Sequence, residues 1–127
     1  MILIYGALLG FISVAFGAYA EHGLRESITD EQFRFIMTAI RYNQVNAAVI
    51  TAIGLSMLNG GKLATVSWLK WSGVLFIIGT VLFCFSIYFS VWLDMQALVN
   101  LAPIGGMTMM GAWLLLIATG LAARKNR

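Results

Sequence analysis

Apolar residues run almost without interruption from Met1 to Ala20, from Ala39 to Leu58, from Trp71 to Leu93 and from Leu101 to Ala123. A hydrocarbon layer roughly 30 Å thick needs about 20 such residues in helical form, so each stretch is long enough to cross it once. The pattern predicts an all-α integral membrane protein. It is a four-helix bundle making one transmembrane domain over residues 1–127, with spans near 1–20, 39–58, 71–93 and 101–123. Between the first two spans the text changes at Ser27. Thr29 followed three residues later by Gln32 is a capping-box pattern, and Ile28 before the cap can staple to Phe33. A helix is therefore predicted to start at Asp30, with Asp30 and Glu31 suited to the positive end of its dipole. Phe33, Ile36, Met37 and Ile40 form an apolar stripe opposite Arg34, so residues 29–38 are expected as a short amphipathic helix at the membrane surface.

The remaining boundaries follow from turn chemistry and aromatic placement. Asn59-Gly60-Gly61-Lys62 is a turn by composition, because paired glycines beside asparagine supply positive-φ positions cheaply. Trp68 and Trp71 on one side of span three, and Tyr88, Trp92 and Asp94 on the other, mark its two interfaces. Ala18-Tyr19-Ala20 has the small-x-small form of a signal cleavage site, but no Lys or Arg precedes the apolar run. It is read as the first span.

Composition sharpens this picture by exclusion. Hydrophobic residues make up 61% of the 127 and charged residues 10%, whereas about a quarter of a soluble domain is charged. The formal charge of +3 does not imply nucleic acid, because the basic residues are scattered at span edges rather than gathered to grip phosphates. They orient the chain instead. Lys62, Lys70, Arg124, Lys125 and Arg127 fall on one side and Arg25, Arg34 and Arg41 on the other, which by the positive-inside rule puts both termini in the cytoplasm. Cys84 is the only cysteine, so no intrachain disulfide or multi-thiolate metal site is available.

Small residues mark the expected contacts between helices. Gly6, Gly10, Ser13, Gly17 and Ala20 are spaced four, three, four and three apart along span one, a stripe that lets another backbone approach closely. Span four opens on Pro103, whose missing donor costs nothing in a first helical turn, and continues with Gly105 and Gly106, again a close-contact pair.

Polar chemistry concentrates where spans one and two meet. Glu21 and His22 follow span one directly, and Arg41, Asn43, Gln44 and Asn46 occupy the first turns of span two. Ionisable groups at membrane depth are costly and for that reason are functional candidates. Glu21, His22, Arg41, Gln44 and Asn46 are accordingly the candidate binding cluster, with an orienting Glu21–Arg41 ion pair expected within it. His22 is the only histidine, the residue type that exchanges protons near neutrality. Catalytic constellations are absent: no zinc spacing, phosphate loop or His-Glu-x-x-His motif occurs, and no Ser-His-acid arrangement is supported by the spacing. No cofactor and no metal are expected.

Several segments in order resemble one known family. Gly17-Ala18-Tyr19-Ala20-Glu21-His22-Gly23-Leu24 is similar to its Gly-Ala-Phe-Gly-Ala-His-Gly-Leu segment, and Tyr42 to Ala47 to its Tyr-Gln-x-x-His-Ala opening of span two. Leu82-Phe83-Cys84-Phe85-Ser86-Ile87-Tyr88 resembles its Leu-Phe-Ser-Gly-Ser-x-Tyr. Pro103-Ile104-Gly105-Gly106 and Gly111-Ala112-Trp113 resemble the Thr-Pro-Ile-Gly-Gly and Gly-Trp of its span four. The family is the group of small bacterial inner-membrane proteins known as domain of unknown function 423, with eukaryotic relatives that include transmembrane protein 256. The resemblance covers nearly the whole chain. It implies a four-helix protein of the bacterial inner membrane and no defined activity. This chain departs from the pattern at Asn46, where the family has a second histidine, at Ala102 for threonine, and at Cys84-Phe85 for Ser-Gly.

The preferred functional reading is a non-enzymatic membrane component that self-associates, with membrane lipids, further copies of itself or another membrane protein as its partners. The alternative is a small transporter, channel or ligand-binding module built on the polar cluster. An intramembrane enzyme comes third.

Overall fold

The computed structural model describes residues 1–125. Among them every regular element is helical and no strand occurs. Helix α1 is Ile2–Tyr19 and continues as a single π-helical turn, Ala20–Leu24. In that turn Arg25 N–H reaches five residues back to the carbonyl of Ala20 at 3.0 Å. Helix α2 is Asp30–Asn59, 30 residues without a break. Its start is set by the capping box: the Thr29 hydroxyl accepts from Gln32 N–H at 3.1 Å, and Thr29 N–H donates to Gln32 Oε1 at 3.0 Å. The segment 29–38 is therefore not a separate helix, because nothing between Thr38 and Ala39 interrupts the backbone ladder.

Helix α3, Ser67–Thr80, passes through a second π turn, Val81–Phe85, into α4, Ser86–Trp92. A 3₁₀ segment, Gln96–Leu101, leads into α5, Ala102–Lys125. The bend before it uses Asp94 at φ 52°, a conformation that Asp tolerates through local hydrogen bonding. Between α2 and α3 the chain turns at Gly60 and Gly61, with φ of 69° and 113°.

Three helical stretches are long and apolar enough to cross a membrane: Ile2–Leu24, Ser67–Trp92 and Gln96–Lys125. The α2 helix is not among them, since Arg41, Asn43, Gln44 and Asn46 dilute the hydropathy of the segment expected as the second span.

The helices pack as antiparallel neighbours, and glycine sets the distance. A Cβ on Gly6 would lie 2.6 Å from Thr51 Oγ1 and one on Gly54 2.6 Å from the Leu3 backbone, so α1 and α2 touch backbone to backbone at both places. On the other side Gly79 meets Met109 and Gly105, while Gly105 meets the backbone of Phe83, which joins α3 and its π turn to α5. Ile2 and Ile53 both reach Gly73. These contacts put the starts of α1 and α3 and the ends of α2 and α5 at one end of the molecule.

The buried apolar side chains divide into two clusters. One contains Ala20, Leu24, Ile36, Ala39, Ile40, Cys84, Ile87, Tyr88 and Ala102. The other contains Ile2, Leu9, Ala47, Ile50, Ile53, Leu69, Phe76 and Ala112. On α2 the break between them falls between Ile40 and Ala47, where Asn43 and Asn46 turn inward. Outward faces carry Ile4, Phe11, Leu114, Ile117 and Leu121, each more than half exposed, a surface that suits hydrocarbon better than water.

Candidate functional site

The six polar residues at the junction of α1 and α2 do not converge. Glu21 and His22 lie exposed on the first π turn. The Glu21 carboxylate accepts from the Arg25 guanidinium at 3.0 Å, and that guanidinium also sits 5.0 Å from the Phe33 ring centre. The expected Glu21–Arg41 pair is therefore replaced by Glu21–Arg25. A partner four residues along the same helical face is within reach without any long-range closure, whereas Arg41 projects outward from α2. At 62% and 42% side-chain exposure the pair contributes little to stability.

On α2 the four candidates separate by helical phase. Arg41 and Gln44, three apart, share the exposed face, while Asn43 and Asn46 share the buried one. Asn46 Nδ2 donates to Thr80 Oγ1 at 3.0 Å and to Met109 Sδ at 2.7 Å, which links α2, α3 and α5 through one amide. The Thr80 hydroxyl donates to the Phe76 carbonyl at 2.6 Å. One turn away, Asn43 Nδ2 donates to Tyr88 Oη at 3.1 Å, and the Cys84 thiol donates to the Ala39 carbonyl at 3.2 Å. Ser72 Oγ extends the series by donating to the Ala112 carbonyl at 2.9 Å. Asn43, Asn46 and Thr80 form a polar layer between the two apolar clusters, while Cys84 and Tyr88 belong to the first cluster and Ser72 lies within the second.

Three buried polar residues of the third helical stretch, Ser72, Thr80 and Tyr88, were outside the sequence-based cluster. Their signal is an eight-residue interval along an otherwise apolar run, continued by Phe76 and Cys84 on the same row. The second π turn adds its own offset within this row.

The helix-packing candidates are placed as follows. Gly6, Gly10 and Gly17 face Thr51, Ala47 and Ile40, and Ser13 is buried, its hydroxyl donating to the Gly10 carbonyl at 2.7 Å. Gly105 lies against Phe83 and Gly79, Gly106 lies near the Phe83 ring, and Pro103 is exposed at the start of α5. Among the described residues no three His, Cys, Asp or Glu side chains gather to hold a metal ion.

Asn43 Oδ1 is buried without a hydrogen-bond partner among the described residues, which makes the Asn43–Tyr88 pair asymmetric. Tyr88→Phe should cost about 1–3 kcal/mol, because it strands the whole amide in an apolar setting. Asn43→Leu removes the orphan together with its neighbour and should cost less. Detergent unfolding of the two variants checks the order. The reverse order would mean that the Tyr88 hydroxyl, not the amide, is the group that needs its partner.

A family model described as a protein of unknown function, DUF423, matches residues 16–106. The chain belongs to this family. It is 27% identical over 124 residues to the UPF0382 inner membrane protein YgdD of Escherichia coli strain K12, covering 98% of this chain and 92% of that one. A UPF0382 membrane protein of Haemophilus influenzae is 33% identical over 108 residues, 85% of this chain and 83% of the relative. Another, from Staphylococcus haemolyticus, is 30% identical over 117 residues, 92% of each. No solved structure matches the chain. These relatives are named as membrane proteins, in agreement with the three stretches able to span a bilayer. The part that matches the family model holds both π turns, exposed Glu21, His22, Arg41 and Gln44, and the asparagine layer.

Proposed function

We propose that this protein is a non-enzymatic, self-associating component of the bacterial inner membrane that crosses the bilayer as a four-helix bundle with the two ends of the chain cytoplasmic. At about 1.5 Å per residue the 30 residues of α2 exceed the thickness of the hydrocarbon layer. Its first turns then lie in the interface as an amphipathic extension, with Arg34 outward, and the rest crosses with Asn43 and Asn46 shielded by α3, α4 and α5. Within such a bundle the buried amides are engaged by neighbouring helices, which supports a structural rather than a transporting interior.

The observation that carries self-association is an open groove of about 690 Å³ between α1 and α2, lined by Gly6, Ala7, Gly10, Ser13, Ala47, Ala48 and others, with Gln44 among its walls. Small residues let a further helix backbone approach, and an interhelical amide hydrogen bond strengthens the contact in lipid. Exposed Gln44 offers both a donor and an acceptor to the same residue of a second copy. Glu21 pairs with Arg25, and among the described residues no hydrogen bond or ion pair joins Glu21 or His22 to Arg41, which weakens the alternative, a transport or ligand site built on them.

Native mass spectrometry of the full chain released from a mild detergent tests this reading, with dimers or larger species as the expected result. Gln44→Leu should weaken association roughly threefold, the size of an average interhelical hydrogen bond in membranes. Ala48→Leu, which fills the groove, should weaken it further. Monomer alone across the concentration range sinks the proposal.

A further inference from the structure

Charge is divided between the two ends of the molecule. The five acidic residues are Glu21, Glu26, Asp30, Glu31 and Asp94, and all belong to the end where α1 finishes and α2 begins. Among the described residues the opposite end carries Lys62, Lys70, Arg124 and Lys125 and no aspartate or glutamate. Arg25–Glu21 is the one ion pair among the described residues, so none of these four cations is paired with a described carboxylate.

Two of the four face each other across a cleft. The turn after α2 and the last turns of α5 enclose about 300 Å³ lined by Lys62, Leu63, Gly120, Ala123 and Arg124. Its only charged walls are cations, and the rest of its lining is apolar. Gly120 opens the floor, since a Cβ placed there would meet nothing within 4 Å. The turn that presents Lys62 is held by its own hydrogen bonds: Ala64 N–H to the Gly61 carbonyl at 3.1 Å, Thr65 Oγ1 to the Lys62 carbonyl at 2.7 Å and Val66 N–H to the Leu63 carbonyl at 3.1 Å. Exposed Trp68 and Trp71 lie just beyond it, in the kind of position indole rings take at a headgroup layer.

Basic residues near helix C-termini also compensate the helix dipole, and α2 and α5 both end here. That compensation concerns about half a charge at each helix end, so two full positive charges leave a net surplus facing the cleft. A phosphate meets this surplus well, because a guanidinium takes two of its oxygens in parallel and an ammonium adds a point charge. The apolar lining calls for more than a free anion.

We propose that the cleft between Lys62 and Arg124 holds the phosphate headgroup of an anionic phospholipid, whose acyl chain follows Leu63, Ala123 and the outer face of α5. The proposal rests on membrane insertion and not on self-association, so lipid retention is read per copy of the chain whatever the oligomeric state. Basic pockets between helices on the cytoplasmic side of membranes have this use generally.

The full chain in mild detergent is mixed with phosphatidylglycerol or phosphatidylcholine at equal excess and examined by native mass spectrometry. Phosphatidylglycerol should be retained preferentially, and Lys62→Ala with Arg124→Ala should lower its retention at least about tenfold. Lys70→Ala with Lys125→Ala, which removes the same charge outside the cleft, should leave most of it. The conservative pair Lys62→Arg with Arg124→Lys should restore it. Equal retention of the two lipids, or equal loss in the two alanine pairs, overturns the site in favour of diffuse attraction. Displacement by millimolar glycerol 3-phosphate overturns the lipid in favour of a soluble phosphate. All the substituted side chains are exposed, and unchanged helical circular dichroism verifies that each variant is folded.

Discussion

Gly105→Val should lower the stability of the helical fold by at least about 2 kcal/mol, in the upper part of the ~1–3 kcal/mol range for overpacking. The α carbon of Gly105 faces the backbone of Phe83, where an added Cβ would collide with the amide nitrogen, and it would also lie 2.9 Å from the Gly79 carbonyl. Neither obstacle is the end of a flexible side chain. Relief requires α5 to move away from α3, and that movement pulls Met109 from Asn46 and Ala112 from Ser72. Gly111→Ala is the control, because nothing lies within 4 Å of its Cβ position; its effect should stay within about 1 kcal/mol, with helix propensity favouring alanine. Unfolding midpoints in mixed micelles titrated with sodium dodecyl sulfate, followed by circular dichroism, measure both. Equal midpoints for Gly105→Val and Gly111→Ala would refute the account of how α3 and α5 meet.

The same residues explain what could be read from the chain and what could not. The start of α2 is legible because a cap is local: Thr29 and Gln32 exchange hydrogen bonds within four residues, so three letters of spacing suffice. All-helical character is legible because stretches of this length and hydropathy have few other ways to satisfy their backbone in lipid. Convergence of the polar cluster is a different matter. Spacing states that Arg41 goes with Gln44 and Asn43 with Asn46, but not which pair turns inward, and that choice is made by α3, α4 and α5 through Thr80, Tyr88 and Met109. Nor does local spacing reveal a π turn. Each inserts one residue into the helical phase, and the two occur at Ala20–Leu24 and Val81–Phe85, where Ala20, Leu24 and Cys84 enter one cluster. Arg25, four residues after Glu21, illustrates the same lesson: a nearby partner displaces a distant one that sequence alone makes equally attractive.

Asn46→Asp should destabilise the protein by about 2.5–3.5 kcal/mol, the cost on insertion scales of an aspartate at the centre of a membrane helix, while Asn46→Leu should stay within about 1 kcal/mol of the parent. The two replacements share one branched outline and the same number of heavy atoms, and leucine is the bulkier, so a penalty confined to aspartate reports polarity and not overpacking. Asn46 acts as a donor here, to Thr80 Oγ1 and Met109 Sδ. An ionised carboxylate offers only acceptors, the Thr80 hydroxyl proton is committed to the Phe76 carbonyl, and a thioether has no proton to give. Leucine, in contrast, leaves that threonine bond intact and strands only weak acceptors. The layer therefore contributes little net stability through Asn46, yet it penalises any helix register that would carry the amide into lipid or into either apolar cluster. Micelle unfolding of the two variants at neutral pH decides the matter. An aspartate tolerated as well as leucine would mean that water reaches Asn46, and the closed interior on which the structural reading depends would have to be abandoned.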